Sequence, residues 1–229
     1  MKTTKSFIKM VNNMVKISTS ILSIENDLIS SVKKLNKTTT DFIHYDIMDG
    51  KFVSNTSFSF EEIKAINDYI TKPIDVHLMV EKPDDYIEFY GKLNPYYLTI
   101  HYEIDNLEKY IDLIKSKNIK VGVSIKPNTD VSKILSLLDK IDLILVMSVE
   151  PGKGGQEFLP YSVDKIRILK EYITNHNLNT VIEVDGGINE VSAVECIKVG
   201  ADILVSGSYI TNSDNYQERI DEIKKEVII

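Results

Sequence analysis

Short apolar runs, many of them β-branched, recur along the chain at residues 16–22, 42–47, 74–79, 97–101, 120–125, 143–147, 181–184 and 203–206. Each has the length and composition of a strand, and several are apolar at consecutive positions. That double-sided pattern belongs to parallel sheets whose faces are covered by helices. Between the runs the period lengthens. In IENDLISSVKKL (24–35), Ile24, Leu28, Ile29, Val32 and Leu35 fall on one helical face. The same spacing predicts helices over 60–70, 107–117, 131–140, 161–173 and 191–200. The last of these closes on Gly200, a residue suited to the left-handed turn that follows a helix.

Eight strands alternating with helices favour an α/β fold of the (β/α)8 type, a TIM barrel, as a single domain. The competing arrangement is an open doubly wound sheet. Its usual Gly-x-Gly-x-x-Gly turn after the first strand is missing, and Ser20-Ile-Leu-Ser23 stands there instead. The first strand starts at about Val15, so residues 1–14 are expected to be a short N-terminal extension and 15–229 the barrel. No linker-like composition divides the chain.

Charge narrows the function classes. A net charge of −7 argues against a general nucleic-acid binder, which is usually basic. It leaves small anionic substrates open, because they respond to the local field. The single cysteine, Cys196, excludes an internal disulfide and points to a reducing, cytoplasmic compartment. No apolar run approaches the roughly 20 residues that cross a bilayer, so no membrane partner is expected. The opening MKTTKSFIKMVNNMVK lacks the continuous apolar segment of a secretory signal.

The chemistry gathers where the strands end. In a barrel of this kind catalytic groups sit at the C-terminal ends of the strands. Three of the four histidines, His44, His77 and His101, fall at the ends of strands 2, 3 and 4. His176, in NHNLN, reads as a solvent-exposed residue of a helix exit. Side chains two apart share a strand face, which pairs His44 with Asp46, Asp75 with His77, and Glu183 with Asp185. A lone strand-end histidine is more often structural than a ligand, and an Asp before Gly-Gly is usually a turn residue. Recurrence at equivalent points of one barrel changes that balance. His44, Asp46, His77 and Asp185 can reach a common centre, and two imidazoles with two carboxylates suit a divalent metal.

Glycine-bearing turns follow strands 6, 7 and 8: Gly152-Lys153-Gly154-Gly155, Gly186-Gly187 and Gly207-Ser208. Glycine lets backbone N–H groups come close to an anion, and barrels frequently hold phosphate at the loops after strands 7 and 8. Ordinary turn chemistry explains Gly152 equally well.

Taken together, HYDIMDGKFV (44–53), DVHLMV (75–80), MSVEPGKGGQEF (147–158) and EVDGGIN (183–189) resemble the ribulose-phosphate 3-epimerase family. SILS (20–23) and VSGSYI (205–210) fit the same pattern, in order and with the expected spacing. The resemblance implies a cytoplasmic (β/α)8 barrel of the pentose phosphate pathway that interconverts D-ribulose 5-phosphate and D-xylulose 5-phosphate. It implies one divalent metal ion per subunit on His44, Asp46, His77 and Asp185, with zinc, iron, manganese, cobalt and magnesium all compatible. It makes Asp46 and Asp185 the acid/base pair. Ser20 and His77 would contact substrate beside the metal, and Met48, Met79 and Met147 would line the reacting centre. Gly154, Gly155, Gly186, Gly187, Gly207 and Ser208 would hold the phosphate. A homo-oligomer, dimer or hexamer, is also implied.

Two positions depart from the family pattern: Thr19 stands where proline is usual, and Lys153 where the loop usually has phenylalanine. A lysine there can instead offer charge to the phosphate. The same ligand set also suits an epimerase for a hexulose 6-phosphate such as allulose 6-phosphate. A non-catalytic sugar-phosphate-binding barrel is the third reading, and the second carboxylate argues against it.

Overall fold

The computed structural model describes residues 15–24 and 26–225. The expected N-terminal extension lies outside the described residues. Eight parallel strands form a closed barrel in sequence order, and β8 pairs with β1. They are β1 Lys16–Ser20, β2 Phe42–Met48, β3 Ile74–Met79, β4 Tyr97–His101, β5 Lys120–Ile125, β6 Leu143–Met147, β7 Val181–Asp185 and β8 Ile203–Ser206. The helices are α1 Leu28–Leu35, α2 Phe60–Asn67, α3 Asp84–Gly91, α4 Leu107–Ser116, α5 Ser162–Asn175, α6 Glu190–Lys198, α7 Ser208–Thr211 and α8 Tyr216–Ile223. The chain is a (β/α)8 TIM barrel, as the alternation predicts.

Outward-facing strand residues such as Ile43, Tyr45, Val76, Leu78, Val123 and Val184 pack against the helices and are almost fully buried. This shell supplies the hydrophobic stabilisation, at roughly 25 cal/mol per Å² of apolar area removed from water. Inside the barrel, Phe42, Tyr97, Leu143, Leu145 and Ile203 form a separate apolar plug. Above it the interior turns polar: Ser18, His44, Asp75, His77, Thr99, His101, Ser124 and Glu183 are all 0% exposed. Gly122 on β5 makes room for this layer, because a Cβ there would sit 2.1 Å from the Thr99 hydroxyl.

Local signals end the elements as expected in most places. Ser59 and Glu62 form a reciprocal capping box at the start of α2. Gly200 follows α6 with φ 105°, and its N–H bonds the Ile197 carbonyl. Three differences from the sequence expectation stand out. The helix expected from residue 24 begins only at Leu28, because Asp27, at φ 45°, turns back to accept the Ser30 N–H. The segment expected as a helix over 131–140 is wound as 3-10 turns, Val131–Lys133 and Leu135–Lys140. The Asp130 carboxylate caps the first of them by accepting the N–H of Ser132, two residues on. α3 escaped the apolar pattern because aromatics carry its packing: Phe89 stacks on Phe60 at 4.2 Å, and Tyr90 is fully buried.

Candidate active site

Four side chains meet at the C-terminal mouth of the barrel. Adjacent strands β2 and β3 pair Asp46 with His77 in register. β7 brings Asp185, and the buried Ser148 hydroxyl donates to the Asp185 and Gly186 carbonyls, holding that strand end. One ligand atom from each of His44, Asp46, His77 and Asp185 lies within 4.8 Å of the others. His44 Nε2 is 3.5 Å from Asp46 Oδ1, and His77 Nδ1 is 3.4 Å from Asp46 Oδ1 and 3.7 Å from Asp185 Oδ2. Donors around a tetrahedral ion with bonds of about 2.1 Å stand roughly 3.4 Å apart. His44 Nε2 and His77 Nδ1 are fully buried and have no hydrogen-bond partner within the protein. Buried polar atoms are almost always paired, so two orphaned nitrogens aimed at two carboxylates fit a divalent cation. The cluster His44, Asp75 and Glu183 is also compact, but His44 Nδ1 sits only 2.7 Å from Asp75 Oδ2. That is a direct hydrogen bond, too close for two donors around a shared ion.

The carboxylates are held in opposite senses. Burial by itself would raise the Asp46 carboxyl, but the His44 and His77 imidazoles outweigh it and hold Asp46 well below the usual range. Asp185 is pushed up, first by burial and then by the Asp46 charge. Two carboxyls driven apart by their surroundings are the arrangement of an acid and a base side by side. Burial would depress both imidazoles. Asp75 and Asp46 hold His44 well above its ordinary value, and the neighbouring Asp185 and Asp46 carboxylates raise His77. Ser20 donates to Asp46 Oδ2 at 2.6 Å, fixing the carboxylate that faces the cavity.

Above this floor opens a cavity of about 420 Å³. Asp46 and Asp185 form its base, and Ser20, Met48, Met79 and Met147 line its sides. Gly154, Gly155, Gly186, Gly187, Gly207 and Ser208 form the rim. Every residue expected at the substrate site reaches this cavity except His77, which lies beneath it, fully buried. The rim glycines are not interchangeable. Gly187 has φ 65°, and a Cβ there would stand 2.4 Å from the Phe158 nitrogen. Gly155 also has positive φ but faces open space.

Both departures from the family pattern are accommodated. The Thr19 hydroxyl pairs with that of Thr40 at 2.7 Å. Lys153 is exposed at the mouth, while Gln156 Nε2 donates to the Glu150 and Lys153 carbonyls and Asn55 Nδ2 to that of Gly152. The loop is therefore held by its backbone and not by the side chain at 153.

The sequence placed Asp75 and Glu183 on the faces of His77 and Asp185, and His101 at the end of strand 4, without giving them work. Asp75 accepts from Ser18 and bonds His44, and Glu183 lies beside it, its carboxyl raised by burial and by the Asp75 charge. His101 bonds His77. Asn189, Tyr209 and Asn212 also line the cavity, with no signal in the strand pattern to mark them.

This architecture defines a class of barrels. Solved structures that superpose on it include KGPDC from Streptococcus mutans (TM-score 0.68, 14% identity, 93% of this chain and 98% of that one). Another is a 3-hexulose-6-phosphate synthase (TM-score 0.66, 14% identity, 92% and 98%). At such identities they show the fold alone. Within that class the chain belongs to the ribulose-phosphate 3 epimerase family, whose model matches residues 16–211. It is 42% identical over 205 residues to ribulose-phosphate 3-epimerase of Buchnera aphidicola subsp. Baizongia pistaciae, covering 87% of this chain and 90% of that protein. It is 37% identical over 214 residues to that of Bacillus subtilis, covering 92% and 99%. The chloroplastic ribulose-5-phosphate-3-epimerase of Arabidopsis thaliana is 37% identical over 212 residues, covering 91% and 75%.

Proposed function

We propose that this protein epimerises D-ribulose 5-phosphate and D-xylulose 5-phosphate at C3, with Asp46 and Asp185 as the acid/base pair and His44, Asp46, His77 and Asp185 as ligands of one divalent metal. The observation that carries the reading is the pairing of two oppositely displaced carboxyls over two orphaned imidazole nitrogens, at the floor of a glycine-rimmed cavity. The C3 proton of a ketose phosphate lies next to the C2 carbonyl and becomes removable only when charge building on oxygen is stabilised. A bound divalent ion would supply that stabilisation as a Lewis acid. The donor set of two imidazoles and two carboxylates suits zinc, iron, cobalt or manganese.

Asp46, held as a carboxylate, takes the C3 proton. Asp185, with its raised proton affinity, returns one to the opposite face. In the reverse direction the roles exchange. Ser20 keeps the Asp46 carboxylate aimed at the cavity through its 2.6 Å hydrogen bond. Met48, Met79 and Met147 exclude water without offering a competing acid, so the enediolate is reprotonated by a carboxyl group and not by solvent. The backbone N–H groups around Gly186, Gly187 and Gly207, with the Ser208 hydroxyl, receive the phosphate, and Lys153 adds positive charge at the mouth. A cytoplasmic setting, in keeping with a single, buried and unpaired cysteine, and a homo-oligomeric state complete the proposal. Among the described residues no helix is long and apolar enough to cross a membrane.

A proton NMR time course in D₂O with ribulose 5-phosphate, run with and without chelator, tests this directly. Xylulose 5-phosphate carrying deuterium at C3, formed only in the absence of chelator, is the expected result. No exchange at C3 in metal-supplemented protein would reject the pentulose reading. Faster turnover of allulose 6-phosphate would reassign the substrate to a hexulose phosphate.

A further inference from the structure

His77 offers Nδ1 to Asp46 and Asp185, so its other nitrogen faces away from the cavity into the barrel wall. There Nε2 meets a second imidazole, His101 Nε2, at 2.9 Å. Two ring nitrogens at that distance share one proton, and one must donate while the other accepts. The choice is made one step further out. His101 Nδ1 lies 3.1 Å from Glu103 Oε2. The other oxygen of Glu103 accepts the Lys126 backbone N–H at 2.9 Å and the Thr129 hydroxyl. A carboxylate fastened by two donors presents an acceptor to His101, so the proton of neutral His101 sits on Nδ1. Its Nε2 is then a lone pair, His77 donates from Nε2, and His77 Nδ1 is left bare toward the two carboxylates. The Phe52 ring packs on His101 at 4.5 Å between centroids, with Lys126 Nζ 3.9 Å from the Phe52 centroid.

We propose that Glu103, acting through His101, is a positioning residue that fixes the tautomer and ring orientation of His77 and so prepares Nδ1 as a metal ligand. His44 receives the same service directly, its Nδ1 standing 2.7 Å from Asp75. The two imidazoles are thus backed by carboxylates at different remove, one in contact and one relayed through a second ring. Reversing the relay would put a proton on His77 Nδ1, where it would oppose a cation. The inference rests on the metal reading of the preceding section.

The test uses Glu103→Gln, which keeps shape and removes charge, and His101→Phe, which keeps a ring against Phe52 and removes both nitrogens. The zinc dissociation constant, measured by competition with a chromogenic chelator, is expected to rise about 10–100-fold in each, the usual cost of losing a partner behind a metal-bound histidine. Nitrogen-15 spectra of the metal-free wild type at alkaline pH, where the rings are neutral, are expected to show His77 protonated at Nε2 and His101 at Nδ1. In Glu103→Gln that preference is lost. Folded variants with wild-type zinc affinity, or a metal-free His77 protonated at Nδ1, would overturn the relay. If the wild type binds none of zinc, ferrous iron, cobalt or manganese while its tautomers are as expected, the metal reading fails and the relay stands.

Discussion

Asp185→Asn is the sharpest test of the two-carboxyl mechanism. The substitution keeps the size of a side chain that is 15% exposed at the cavity floor, and it removes proton transfer from one side only. Besides Asp46 and Asp185, the carboxylates that reach the cavity are Glu150 and Glu157, both exposed on the loop after β6. Neither can replace Asp185 at the floor. A general acid–base group contributes about 10²–10⁴-fold. With no substitute in place, kcat should fall by about 10³–10⁴, or roughly 4–5.5 kcal/mol at 1.36 kcal/mol per decade. KM should change far less, because the proposed phosphate contacts lie on the rim. The decisive assay separates exchange from inversion. Asp46 remains able to remove and return a proton on its own face, so one of the two epimers should still exchange C3–H with D₂O while epimerisation stops. Metal content is measured on the same sample, since Asp185 is also a proposed ligand. A metal-loaded variant that epimerises within about threefold of wild type would refute the assignment, and equal loss of exchange from both epimers would refute the division of faces.

The metal-free protein should lose stability as pH rises above about 6.5, the ordinary imidazole value. His44 and His77 are held above their ordinary values, so their contribution is complete below the unfolded imidazole value and disappears as pH climbs through the folded ones. Buried Asp185 and Glu183 are raised as well, so their contribution is likewise lost as pH climbs through their folded values, and thermal melts in chelator from about pH 6 to 8.5 should show Tm falling, where a flat or rising profile would contradict it. Gly187→Ala forces an L-residue into φ 65° and a Cβ against the Phe158 backbone, so urea unfolding should report a loss of at least about 2 kcal/mol. Met79→Gln should admit water to the reacting centre, seen as solvent-derived products or phosphate release; unchanged product fidelity would remove the methionines from the mechanism.

Much of this molecule is written locally. The strand runs needed only their length and composition, because the face turned to the helices is mostly apolar and polar residues enter mainly on the face turned to the barrel interior. The four candidate ligands were visible for the opposite reason: polar residues at the ends of otherwise apolar strands have no packing explanation. The relay behind His77 was not legible in the same way. His-x-Glu at 101–103 looks like an ordinary strand exit until Lys126 and Thr129, which hold the carboxylate, are brought beside it from the loop after β5. The same holds for α3, packed through aromatic faces, and for the 3-10 turns over 131–140, whose apolar spacing carries no mark of the tighter winding.

By itself the sequence determined the eight strands, the helices α1, α2, α4, α5 and α6 between them, the barrel they imply, and which two imidazoles and two carboxylates stand at its mouth. Periodicity and strand-end polarity are properties of neighbouring residues, and a linear chain records them. Only the tertiary structure decided which nitrogen of each histidine faces the two carboxylates, which carboxyl has the raised proton affinity, and what stands behind the candidate ligands. Those depend on closure of β8 onto β1 and on the parallel register that sets Asp46 beside His77. Contacts between segments far apart in the chain set the local field and the hydrogen-bond polarity, and they leave no period to read.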